Sequence, residues 1–181
     1  MKIEFQMNQK MCNNCKKVSE EYYELKLQIR FIYFEDINIL DKKKEEIEKL
    51  VEKRFNTINK MEEVENGFDF YFREHGEMNK INNLLNKRYF YEEIRTKKIV
   101  GHDFLTSKDI WRYTQLIRII NLNVRDEISV KGKDYYIKAF NHNDLVLRSL
   151  DNGSKKVVTY SIVKDYLKLI RKKEDIDKEA K

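Results

Sequence analysis

The sequence predicts an α+β protein, a β-α-β-β-α-β two-layer sandwich followed by a small β-barrel. Three observations carry that expectation. Apolar side chains alternate with Lys26, Gln28 and Arg30 along Tyr23, Leu25, Leu27 and Ile29, the period of a half-buried strand. Ile47, Leu50, Val51 and Phe55 recur at three and four residues, the period of an amphipathic helix. Beyond Arg95 short β-rich runs take over, separated by "VRDE", "KGKD", "NHND" and "DNGS", which are turn-forming clusters.

The elements follow in order. A strand over Tyr22–Phe31 leads to a helix over Asp41–Phe55, with Asp41 as N-cap. Ile58–Val64 and Phe68–Phe72 flank Asn66-Gly67, a dipeptide suited to the positive backbone angles of a tight hairpin. A helix from Glu77 to Asn86 buries Met78, Ile81, Leu84 and Leu85, and a strand over Tyr89–Ile94 closes the sandwich. Then come strands at Thr114–Ile120, Glu127–Val130, Asp134–Phe140, Leu145–Leu150 and Lys155–Thr159. Five short strands in so little chain indicate a barrel of the SH3-like or OB type. A helix over Ser161–Arg171 caps it, and residues 171–181 form a flexible tail. The two domains are expected to meet near Thr96–Gly101.

Charge is unevenly placed in this 181-residue chain of net charge +6. Residues 1–95 hold 18 Lys+Arg against 19 Asp+Glu, net −1; residues 96–181 hold the remaining 19 against 12, net +7. A basic half favours a polyanionic partner, usually RNA or DNA, although lysines also serve as ordinary solvated surface. The candidate RNA-binding residues are Lys97, Lys98, Lys108, Arg112 and Arg118, interleaved with Trp111 and Tyr113, and the turn lysines Lys131, Lys133, Lys155 and Lys156. Turn tips reach phosphates with little ordering. Ile110 and Trp111 equally suit a plug for one end of the barrel. No run of eighteen apolar residues occurs, so no membrane span is expected, and the charged start "MKIEFQMNQK" is unlike a secretory signal. A cytoplasmic protein is expected.

Cys12 and Cys15 are the chain's two cysteines and have zinc-knuckle spacing, but two thiolates make only half of a tetrahedral site. His75, His102 and His142 lie in different elements without ligand spacing to the pair. The chain alone therefore has no cofactor, and zinc enters if a partner supplies two further ligands. A redox role is disfavoured because the CxxC precedes a strand and does not open a helix. "NGFDFYF" invites comparison with an RNA-recognition strand, yet Asn66 and Asp69 depart from that signature. The favoured reading puts Phe68, Phe70 and Phe72 in the core; the alternative is a free RNA-binding protein using them as an exposed aromatic strand. There is no Gly-rich phosphate loop, nucleophile elbow or HExxH, so an enzyme is not expected.

Four segments, in order, carry a resemblance: "CNNCKKVSEEYYELKLQIR", "NGFDFYF", "KIVGHDFLTSKDIWRYTQLIRI" and "NVRDEISVKGKDYYIKAF". Together they resemble the archaeal branch of the NMD-three family, the large-ribosomal-subunit export adaptors named for nonsense-mediated decay. The resemblance implies that residues 1–18 are the remnant of a zinc-binding module whose other CxxC pairs are missing here. It implies that residues 19–96 form a domain similar to a large-subunit ribosomal protein. Residues 97–170 would then form an SH3-like barrel similar to the hypusine-bearing elongation factor. No Gly-Lys-His-Gly loop is present, so no hypusine-bearing lysine is expected. The implied partner is the large ribosomal subunit, both rRNA and ribosomal proteins, in maturation or translation, with a separately encoded zinc module as a further candidate partner. Arg125 departs from the family pattern, standing where its Gly-Asp turn has glycine.

Overall fold

The computed structural model describes residues 22–32, 37–86, 88–104 and 106–165. Along the chain run β1 (Leu25–Ile32), α1 (Ile37–Arg54), β2 (Ile58–Val64), β3 (Gly67–Phe72), α2 (Glu77–Leu85), β4 (Phe90–Asp103) and β5 (Lys108–Ile120). They build a five-stranded sheet of order β2-β3-β1-β5-β4. β1 and β5 are parallel, and every other neighbouring pair in this sheet is antiparallel.

Period-two alternation gives this sheet two unlike faces. Leu25, Leu27, Ile29 and Phe31 of β1 join Phe68, Phe70 and Phe72 of β3 and Ile117 and Ile119 of β5. Leu40, Ile47 and Val51 of α1 and Ile81 and Leu85 of α2 belong to the same cluster, so both helices cover one face. Each fully buried side chain of this kind contributes about 1.5–3 kcal/mol of transfer free energy. The opposite face carries Lys26, Gln28 and Arg30 of β1, Asp69 and Tyr71 of β3, and Leu116 and Arg118 of β5, in register.

β6 (Glu127–Val130), β7 (Lys133–Phe140), β8 (Asp144–Ser149) and β9 (Lys155–Thr159) form a separate antiparallel sheet in sequential order. Its core holds Val130, Tyr135, Ile137, Leu145, Leu147 and Val158, together with Tyr160 and Val163 from the helical residues 160–165. Phe90 and Ile120 belong to this second core and not to the first. They face away from the helices at one end of β4 and β5, and that end is where the second sheet packs. The Tyr91 amide donates to the His142 carbonyl at 2.7 Å across the same junction. No helix among the described residues is long and apolar enough to cross a membrane.

Several expectations change. Thr114–Ile120, expected as the first barrel strand, is part of β5 and sits inside the first sheet between β1 and β4. Gln115, Ile117 and Ile119 complete the helix-covered face beside Leu27, Ile29 and Phe31, which is why burial draws this strand inward. The four strands that remain form an open meander among the described residues, not a closed barrel. Residues 96–101, where a junction was expected, lie within β4. α1 begins at Ile37, before Asp41, because Leu40 already reaches the core. The β2–β3 turn also works differently: Asn66 is not among the residues at positive φ. Gly67 is needed for proximity, since a Cβ there would lie 1.8 Å from the Ile29 carbonyl oxygen. Only hydrogen fits against β1.

Candidate nucleic-acid interface

β4 and β5 outrun the rest of their sheet. The pairing of β1 with β5 starts at Leu25 opposite Tyr113, so from Lys98 opposite Arg112 outward the two strands pair only with each other. Residues 108–112 at about 3.4 Å each give an arm of roughly 17 Å plus its loop. A two-stranded ribbon is marginal by itself, and several contacts stiffen this one. Lys97 Nζ lies 4.6 Å from the centre of the Trp111 ring. His102 Nδ1 meets Asp109 Oδ1 at 2.9 Å, and the Thr106 hydroxyl donates to Asp103 Oδ2 at 2.7 Å. An irregularity between Ile99 and Gly101 adds local twist.

The arm and its base gather four of the nine candidate basic residues. Lys97, Lys98 and Lys108 are exposed and Arg112 is half-buried. They stand among Ile99, Val100, Phe104 and Ile110, all exposed, with Phe104 at 88%. On a projecting ribbon these apolar side chains and cations remain open to solvent.

At its base the arm meets the sheet face opposite the helices, which no helix covers among the described residues. The Arg112 guanidinium lies 4.4 Å from the Tyr23 ring centre, and Tyr23 packs edge-on against Tyr71 at 5.0 Å. Lys26 and Lys60 approach the Tyr71 ring at 5.1 and 6.0 Å. Asp69 binds Lys26 Nζ at 2.7 Å and Arg30 Nη2 at 2.6 Å. Burial pushes the Asp69 carboxyl up, but the hydrogen bonds and charges of Lys26 and Arg30 outweigh it and hold the group below the usual carboxylate range. Burial pushes Lys26 down, but its interactions with Asp69 and Tyr71 outweigh that and hold it above the usual lysine range. Tyr71 is raised, first by burial and then by its hydrogen bond to Glu62. Arg112 differs from these paired cations: no carboxylate forms an ion pair with it among the described residues, and its Nε is buried without a hydrogen-bond partner.

Arg118 shares this face but is paired with Glu92 at 2.8 Å. Lys131, Lys133, Lys155 and Lys156 fall together at the end of the second sheet remote from the His142 turn, because the β6–β7 and β8–β9 turns lie at the same end. Lys131 and Gly132 have φ of 56° and 74°, the two-residue turn that suits a twisted hairpin. Lys156 lies 5.1 Å from the Tyr135 ring centre. The nine candidates therefore form two separated groups, with Arg118 neutralised between them.

Phe68, Phe70 and Phe72 are buried, as the core reading of "NGFDFYF" expects. Tyr23, expected on the face of Leu25, Leu27 and Ile29, precedes β1 and instead packs against Tyr71 on the opposite face. Cys12 and Cys15 lie outside the described residues. His75 stacks on Tyr113 and contacts Glu24, while His102 contacts Asp109. Among the described residues no group of three or more His, Cys, Asp or Glu is placed to hold a metal.

The family model described as NMD3, second domain, matches residues 22–119. The chain belongs to the NMD3 family. That stretch takes in β1 through all but the last residue of β5, and so includes the whole arm and both faces of the first sheet. Among curated proteins, none matches the chain. The NMD3 assignment thus rests on the five-stranded module, which includes the arm and the sheet face opposite the helices.

Proposed function

We propose that this NMD3-family chain is a non-catalytic cytoplasmic factor of archaeal type that docks on the large ribosomal subunit during maturation or translation. The observation that carries the reading is the arm, where Lys97, Lys98, Lys108 and Arg112 stand among exposed Ile99, Val100, Phe104 and Ile110. Cations suit rRNA phosphates, and the apolar side chains suit bases or neighbouring ribosomal proteins. The lysine tips of the second sheet add a separate electrostatic contact. Zinc would enter through a partner that completes the half site at Cys12 and Cys15.

Co-sedimentation with large ribosomal subunits tests the proposal. Wild-type protein is expected to pellet with the particles at low salt, and the Lys98→Glu/Arg112→Glu variant is expected to remain largely in the supernatant while still melting cooperatively as a folded protein. Wild-type protein that stays in the supernatant at low salt overturns the reading.

A further inference from the structure

A second concave surface lies in the helical layer, on the side of the sheet away from Arg112 and Tyr71. It is a depression of about 480 Å³ between the end of α1 and α2, lined by Arg54, Phe55, Lys80, Asn83, Leu84 and Arg88. That volume lies within the range of small-ligand sites, about 300–1,000 Å³. Three cations ring it. Arg88 meets Glu46 only at 3.9 Å, and Lys80 meets the buried Glu77 at 3.0 Å while remaining 69% exposed. No carboxylate forms an ion pair with Arg54 among the described residues. The exposed Arg88–Glu46 pair is weak, about 0–1 kcal/mol, so an incoming phosphate can compete with it.

The floor differs from the rim. Leu84 is half-buried, and Phe55 is buried with its ring against Phe72 at 5.5 Å. A small inorganic anion has no use for an apolar floor. A nucleotide uses both, with phosphate on the guanidinium groups, ring against Leu84, and the Asn83 amide offering a donor and an acceptor to a base edge or a 2′-hydroxyl. Bases within a duplex are stacked and cannot enter, which selects an unpaired nucleotide. Residues 1–95 have a net charge of −1, so charge bookkeeping along the chain hides this site; folding brings its cations together from α1, α2 and the segment after α2.

We propose that this bowl binds one unpaired nucleotide of an RNA strand, and that the module thereby engages RNA on the face opposite its arm. The inference rests on the RNA-binding reading above and gives it a second point of attachment. Two attachments on one rigid body multiply affinity through effective concentration.

The test uses the full chain and a fluorescein-labelled single-stranded RNA 12-mer, read by anisotropy between 50 and 200 mM salt. Arg54→Glu/Arg88→Glu is expected to weaken binding at least fivefold and to reduce the log–log salt slope by about 0.7–1.4, the share of one or two single-strand phosphates. Leu84→Ser is expected to weaken binding about threefold with the slope unchanged, and a thermal melt of each variant checks that the fold is retained. The bowl assignment is overturned if wild-type protein fails to bind the oligomer. It is also overturned if the charge reversal leaves affinity and slope unchanged, or if Leu84→Ser has no effect on a folded protein. In the last case the rim is only a general polyanion contact. Subunit docking has a separate readout, because wild-type co-sedimentation can succeed while the bowl variants behave as wild type.

Discussion

Replacing Phe70 by alanine separates two accounts of the "NGFDFYF" strand. Phe70 is fully buried, with ring centroids 5.6 Å from Phe68 and 6.5 Å from Phe72, in the cluster that includes Ile47, Val51, Ile81 and Leu85. Truncation removes most of a ring from a site held on both sides by secondary structure, which limits collapse into the void. The expected cost is about 3–5 kcal/mol, a large share of the 5–15 kcal/mol typical of a folded domain. At roughly 2–4 °C per kcal/mol for a chain of this size, the melting temperature should fall by about 6–20 °C. Differential scanning calorimetry supplies the number, and the Phe70→Leu variant is the control. Leucine keeps most of the volume and should retain both fold and RNA affinity. A Phe70→Ala protein that melts within about 2 °C of wild type but no longer binds RNA would refute the core assignment and restore the exposed-strand alternative.

Gly67→Ala should be more disruptive than its size suggests, because the new Cβ would meet the Ile29 carbonyl oxygen at 1.8 Å. β3 must then part from β1, at a cost of about 2–4 kcal/mol, measurable by urea titration. Asp69→Asn should cost about 1–3 kcal/mol at neutral pH, since it leaves Lys26 and Arg30 close together without their anion. The folded-state pKa of Asp69 is depressed, so its stabilisation is complete above the unfolded value of about 3.9. It is lost as pH falls through the lower folded value. Stability measured against pH should accordingly show the wild-type advantage shrinking in strong acid; a gap that widens there contradicts the ion-pair account. Arg125 sits at φ 80° in the turn before β6, with its amide donating to the Ile137 carbonyl at 2.8 Å. Arg125→Gly relieves a left-handed backbone and should gain about 0.5–1 kcal/mol in thermal melts despite the entropy of glycine.

Local patterns were readable in the sequence and their assembly was not. The periodicity of Leu25, Leu27 and Ile29 locates β1, and the bounds of β2 and β9 agree with expectation. Alternation cannot say which sheet a strand joins. Thr114–Ile120 reads as a strand in either setting, and its parallel pairing with β1, 88 residues earlier in the chain (Leu25 opposite Tyr113), decides the matter. The arm was hidden for a related reason. Thr96 to Tyr113 mixes apolar and basic residues without strict alternation, because both faces of a projecting ribbon meet solvent and neither is forced to be apolar. Individual basic candidates were visible from composition, but their pairing state was not: Arg118 is matched by Glu92, whereas Arg112 rests on Tyr23. Arg54, Lys80 and Arg88 carried no signal at all, lying in a half of the chain whose charges nearly cancel.

The most direct test is the salt dependence of binding to purified large ribosomal subunits. If about five phosphates are neutralised, log affinity should fall against log salt with a slope of roughly −3.5 to −4.5. Lys98→Glu/Arg112→Glu should flatten that line. A wild-type slope near zero, or a slope indifferent to the arm charges, would contradict an rRNA-docking surface built on the β4–β5 arm.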